Sequence, residues 1–298
     1  GELPMRVVIL LAYYRLEETI RVGLRTGFGT DRLRTGPVKI FSDGSLGSST
    51  AQMLEPFEGQ PNNYGIGTIP QDEMEQAVLL AAQSGIPSAI HAIGDAANRR
   101  VLDAFAKTRE ALGIDYEMVA GKNRIEHAQL LHPDDIPRFA ALGVVASMQP
   151  IHATSDMHAA DRLWGARSRY SYAWRSVLDA GGLLAFGSDA PVETPNPFLG
   201  IHAAVTRQDL EDQPEGGWYP EERLTVEEAV RAYAEGAARS CPYLPGVTGM
   251  LTPGSVADLL ILDRDIFTVS PEEIKDAKPL VTMVDGEAVY DPEGMIGR

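Results

Sequence analysis

Leu183-Leu184-Ala185-Phe186-Gly187-Ser188-Asp189-Ala190-Pro191 decides the fold. Its first four residues are bulky, contiguous and uncharged, so they read as a strand buried on both faces. Gly187 and Pro191 end that strand and open a loop. Asp189 then stands at the C-terminal mouth of a buried parallel strand. In α/β proteins that mouth is where ligands bind and chemistry is done.

Working outward, strand-like and helix-like stretches alternate. Six strands are expected to begin at Val7, Val38, Ser88, Arg124, Val144 and Leu183. Helices are expected over Leu16–Leu24, Gln71–Ser84, Asp95–Leu112, Pro133–Leu142, Tyr172–Ala180, Phe198–Thr206 and Val226–Arg239. The last has Thr225 as its cap with Glu228 three residues on. A long polar loop from Ser45 to Pro70 and an acidic loop from Asp209 to Glu222 are left over, and long loops in such domains usually carry function. After Cys241 the pattern changes to strands at Val256–Leu262 and Val281–Tyr290, the second folded on itself at Asp285-Gly286. This predicts a catalytic domain over residues 1–245 and part of a small β domain over residues 246–298. Repeated strand–helix units predict a parallel sheet. The absence of Gly-x-Gly-x-x-Gly and of a phosphate-binding Gly-Lys-Ser/Thr loop removes support for a nucleotide fold.

The chain has 298 residues, 44% hydrophobic and 23% charged, which is enough to bury a sizeable core. Its net charge of -16 argues against nucleic-acid and anionic-membrane partners. A single cysteine, Cys241, excludes an internal disulfide and a cysteine-rich zinc site, and fits a cytoplasmic location. No apolar run reaches the roughly 18 residues of a membrane span. Val7–Tyr14 is too short for a signal peptide and lacks its cleavage site. A chain opening directly on a buried-type strand is expected to have been cut from something longer.

Four strands end at or near a metal-binding type of residue: Lys39, His91, His127 and Asp189. In a parallel barrel these ends share one mouth. Neutral imidazoles and a carboxylate suit zinc, manganese, iron or nickel. An ammonium repels a cation, so Lys39 serves as a ligand only after its amine has reacted with carbon dioxide to form a carbamate, which a buried site favours. Singly, each residue has a plainer role, as a satisfied polar group, an ion-pair partner or a helix cap; the joint pattern on different strands favours a metal centre. Asp43 is expected to contact substrate or to brace its loop, and His152 to touch substrate or to be a loop histidine without a role. Glu126 is expected to point away from His127, and Trp164, Trp174 and Tyr172 to pack in the core.

Val38-Lys39-Ile40-Phe41-Ser42-Asp43-Gly44, His91-Ala92-Ile93-Gly94-Asp95, Arg124-Ile125-Glu126-His127-Ala128-Gln129, Ser147-Met148-Gln149-Pro150-Ile151-His152 and Gly187-Ser188-Asp189-Ala190-Pro191 occur in this order. Together they resemble the successive signatures of the YtcJ-like branch of the amidohydrolase superfamily, whose members include N-substituted formamide deformylases. Thr252–Leu259 resembles the return of such chains into a small β-sandwich. The resemblance implies an α/β fold, a (β/α)8 TIM barrel of the metal-dependent hydrolase type, and one or two divalent metals such as zinc. It implies that Lys39 is a bridging carbamate and that His91 and His127 hold one metal. Asp189 then binds the other metal, takes a proton from the attacking water and passes it to a leaving amine. The expected reaction is hydrolysis of an amide- or formamide-like C–N bond in a small-molecule substrate. The six histidines, at 91, 127, 132, 152, 158 and 202, do not supply the family's His-x-His pair. Aligned by strand order, the chain starts at barrel strand three. A homo-oligomer such as a dimer, or an N-terminal segment, is therefore expected to complete the barrel. The alternative is a truncated or degenerate amidohydrolase that binds metal or ligand without turnover.

Overall fold

A computed structural model describes residues 3–119, 122–244 and 246–296. Six strands form one wholly parallel sheet in chain order: β1 (Val7–Ala12), β2 (Leu33–Phe41), β3 (Ser88–Ala92), β4 (Arg124–His127), β5 (Val145–Met148) and β6 (Leu183–Phe186). Strictly sequential order is what a barrel needs, but among the described residues the sheet does not close, and β1 and β6 are its edges. The six expected strands are thus present, adjacent and parallel, and they form no closed barrel among the described residues. β2 begins earlier than expected because it pairs with the whole of β1, from Val7 opposite Leu33 onward.

The connections are helical: α1 (Leu16–Arg21), α2 (Gln71–Gln83), α3 (Asp95–Leu112), α4 (Ile136–Leu142), α5 (Pro150–Trp164), α6 (Trp174–Asp179), α7 (Pro197–Thr206) and α8 (Val226–Arg231). α3 spans the expected residues and breaks at Gly113, whose φ is 55°. For α5 only a helical setting of His158 was expected, without bounds, although Pro150 at its first turn is a recognised start signal. α8 opens with the expected Thr225–Glu228 capping box. It runs through a π-helical turn at Ala232–Gly236 before a last α-helical segment at Ala237–Ser240. At Gly236 an added Cβ would lie 2.0 Å from the Leu184 carbonyl oxygen, so only glycine lets this helix lie so close to β6.

The sheet's outer face is apolar and covered. Val38, Ile40, Ile90, Ile125, Ala146 and Leu184 pack beneath helix residues such as Met74, Val101, Phe105, Phe139 and Val177. Each fully buried aliphatic or aromatic side chain contributes about 1.5–3 kcal/mol. Trp164, Trp174 and Tyr172 are fully buried in this layer, as expected. The inner face is polar and half-buried, with Lys39, His91, Arg124 and Glu126 along it.

A separate antiparallel sheet contains β7 (Leu259–Leu262), β8 (Pro279–Val284) and β9 (Glu287–Tyr290). Asp285 and Gly286 join β8 to β9 with φ of 59° and 80°, the signature of a tight hairpin turn. Arg6 pairs with Asp258, tying the first strand's lead-in to this sheet. The expected boundary falls at Pro245, outside the described residues. Among the described residues no helix is long and apolar enough to cross a membrane.

Candidate metal centre

Lys39 lies two residues before the end of β2, on the face it shares with Phe41. Phe41 stands opposite His91 on β3, and His91 opposite Glu126 on β4. These side chains therefore point to one interior. By strict alternation His127 would point the other way. Instead its φ is 76°, with 44° at Ala128. This left-handed step turns the His127 ring inward, edge-on to His91 with centroids 4.7 Å apart. Such a conformation costs about 1–2 kcal/mol per residue away from glycine. The same kink overturns the expectation for Glu126. It faces the interior, ion-paired with Arg124 at 2.5 Å, and its charge favours the protonated form of Lys39.

Each imidazole is fixed through one nitrogen. His91 Nε2 donates to the Gly44 carbonyl at 2.8 Å, and His127 Nδ1 to Gln149 Oε1 at 2.9 Å. With those tautomers, assigned from the hydrogen-bond network, Nδ1 of His91 and Nε2 of His127 carry lone pairs. Burial is the main cause that lowers both rings to a pKa of about 4, so both are neutral at pH 7; the His127 charge adds to this at His91 and the Lys39 charge at His127. Burial likewise lowers Lys39, against the opposing pull of Glu126 and Asp189. Its ammonium sits 4.8 Å over the Phe41 ring.

Of the two roles expected for Asp43, the structure shows the bracing one. It is buried, and its carboxylate accepts backbone N–H groups of Gln52, Ile93 and Gly94 at 2.8–3.3 Å. Those bonds tie the 45–70 loop to the end of β3, with His91 Nε2 3.4 Å away. Burial pushes Asp43 up to about 7, opposed by the N–H donors. His152 sits in the first turn of α5, buried, its ring stacked on His127 at 6.1 Å. Asp189 lies beyond β6, exposed, with φ of 56°. A cleft of about 490 Å³ brings Lys39, His91, His127, His152 and Asp189 together and leaves Asp43 out. Gln149 and Gln129 were missed. Both are polar residues just past a strand end, the same signal that singled out the histidines.

Among the described residues no three His, Cys, Asp or Glu side chains are grouped so as to hold a metal ion. Two neutral imidazoles with anchored tautomers are nevertheless a metal-ligand pair of the ordinary kind. They fit one divalent cation when a Lys39 nitrogen or carbamate is the third donor. A second ion would have only Lys39 and Asp189.

A sequentially ordered parallel sheet with imidazoles and a lysine at its C-terminal mouth is an α/β architecture of the metal-dependent hydrolase kind. The chain belongs to the Amidohydrolase family, whose model matches residues 1–290. It is 37% identical over 87% of its length to Protein LONG AFTER FAR-RED 3 of Arabidopsis thaliana, covering 43% of that protein. To YtcJ of Bacillus subtilis, an amidohydrolase by name, it is 31% identical over 98% of its length, covering 53% of the relative. It shares 29% identity with an N-substituted formamide deformylase of Arthrobacter pascens, over 88% of this chain and 47% of the enzyme. In structure it is similar to an uncharacterized metal-dependent hydrolase from Pyrococcus furiosus, with a TM-score of 0.77 and 32% identity over 90% of this chain and 52% of that one. The chain spans about half the length of the curated relatives it matches.

Proposed function

We propose that the chain carries the catalytic strands of a metal-dependent hydrolase acting on amide- or formamide-like C–N bonds. The observation that supports this most is the His91–His127 pair, each ring neutral and tied down through its outer nitrogen. Membership of the Amidohydrolase family and the deformylase relative point the same way. In this reading the six strands are strands three to eight of a (β/α)8 barrel. Residues 1–245 are its catalytic domain and residues 246–298 part of a β-sandwich. Two further strands, from an upstream segment or a second copy, stand between β6 and β1.

His91, His127 and Lys39 would hold the ion, and Asp189 would stand at a second position. Burial favours the free amine of Lys39, which adds to carbon dioxide; an N–C bond forms and one proton leaves. The nitrogen and oxygen donors suit zinc. A bound divalent metal supplies Lewis acidity, lowering the pKa of a water and polarising a carbonyl. Asp189 accepts the water's proton and hands it to the departing nitrogen. His152 hydrogen-bonds the substrate.

The test is elemental analysis of the purified chain with and without bicarbonate, alongside formate release from N-alkylformamides. About one metal per chain, raised by bicarbonate, and formate release abolished by Asp189→Asn are expected. No metal uptake in excess zinc and bicarbonate would sink the metal centre; full activity in Asp189→Asn would remove its proton-carrying role. A second reading, metal or ligand binding without turnover, is favoured by the absent His-x-His pair and by Asp189's position on an edge strand. It predicts metal uptake with no formate release.

A further inference from the structure

Beyond the imidazole pair, the cleft is lined by two acids, Asp156 and Glu193. His152 and Asp156, four residues apart on α5, lie on one helix face. Asp156 accepts the Tyr172 hydroxyl on Oδ2 at 2.6 Å, leaving Oδ1. Burial keeps that phenol protonated, its pKa held well above the ordinary value. Glu193, on the loop after β6, accepts Ser155 Oγ on Oε1 at 2.8 Å, leaving Oε2. Lys39, on the floor, is the one lysine or arginine among the described residues lining the cleft.

Two further groups on this cleft are buried and lack partners. His152 is 7% exposed and Gln129 4%, yet His152 Nε2 and Gln129 Oε1 make no hydrogen bond. A buried bond left unmade is costly, so an occupant is expected to fill it. Gln129 Oε1 is an acceptor, and so are both free carboxylate oxygens. The missing occupant must therefore bring several N–H donors and a positive charge. A metal ion is disfavoured, because His152, Asp156 and Glu193 do not group tightly enough to chelate one.

We propose that this wall is a recognition site for an ammonium group, so that the substrate is an amide or formamide carrying a primary amine a few carbons from its C–N bond. Asp156, Glu193 and Gln129 take the three N–H donors, and His152 bonds the amide or formamide group. This rests on reading the cleft as the substrate site. The chain's charge of -16 would draw such a cation in.

Calorimetric titration of the full chain with N-(4-aminobutyl)formamide and with N-butylformamide at pH 7.5 tests it. The cationic probe is expected to bind about tenfold or more tightly. Asp156→Asn/Glu193→Gln, with its folding checked by thermal melting, should bring the two probes within about twofold while leaving the neutral one unchanged. If the double variant does not fold, Glu193→Gln alone should cut the preference severalfold. Equal binding of both probes, no binding of the cationic probe, or a preference that survives the variants overturns the proposal. Formate release in the same samples separates the two ideas. Preference without hydrolysis sinks the hydrolase reading only, and hydrolysis without preference sinks the ammonium site only.

Discussion

His127 and Asp189 both carry a left-handed φ at or just past the end of a strand, 76° and 56°. Around His127 the neighbours are complete: β3 and β5 flank its strand, and Gln149 holds its ring. Asp189 follows an edge strand and is exposed. A donor between two strands is oriented before any ligand arrives. A donor on an edge takes its position from whatever comes to lie beside it. The imidazole half of the site is thus oriented by flanking strands on both sides, and the carboxylate half by a strand on one side only.

Four experiments strain this contrast. The largest effect is expected in metal content. His91→Asn should weaken metal binding by about 100-fold or more, whereas Asp189→Asn should leave uptake within about twofold. Equal losses in the two would erase the difference. Next comes stability. Ile90→Ala, in fully buried central β3, should cost about 2–5 kcal/mol in urea unfolding. Ile9→Ala, half-exposed on edge strand β1, should cost less than about 1 kcal/mol. Gln149→Leu removes the His127 anchor and should lower metal affinity about 10–100-fold while the protein stays folded; unchanged affinity would show that the ring needs no anchor.

The smallest effect is in pH. In the metal-free chain His91 and His127 titrate at about 4 rather than 6.5. Between those values the unfolded chain binds protons that the folded chain excludes. Their contribution to stability is therefore whole above pH 6.5 and is lost as pH falls toward 4. His91→Asn/His127→Asn should flatten that stretch of a urea-midpoint curve, and an unaltered slope would mean the rings are not buried neutral.

β6 was legible because a strand buried on both faces needs contiguous bulky residues between turn formers; β3 and β4 also begin at the expected residues, although polar residues alternate along them. α5 was less legible. Its apolar stripe, Ala153, Met157, Ala160 and Trp164, rests half on alanine and gives a weak periodic signal. The site's members were visible as strand-end residues, but their orientations were not. Period-two alternation sent Glu126 away from His127, and only the left-handed step at His127 places both inside. Asp43 was visible as a polar residue near the site. That its oxygens are taken by Gln52, Ile93 and Gly94 depends on a loop 9 residues on meeting the end of a strand some 50 residues later in the chain. Closure of a barrel is likewise no property of any one strand.

The π-helical turn at Ala232–Gly236 holds one residue more than an α-helical turn would. The wider winding takes that residue up, so deleting it would restore a regular turn and leave Ala237–Ser240 facing nearly as it does now. Cys241, whose Sγ lies 3.6 Å from the Arg124 guanidinium, would keep that neighbour. Chain length in this helix is therefore buffered at the bulge. A single-residue deletion there spares the surroundings of the Arg124–Glu126 pair, whereas the same deletion in a helix without a bulge would turn everything after it by about 100°.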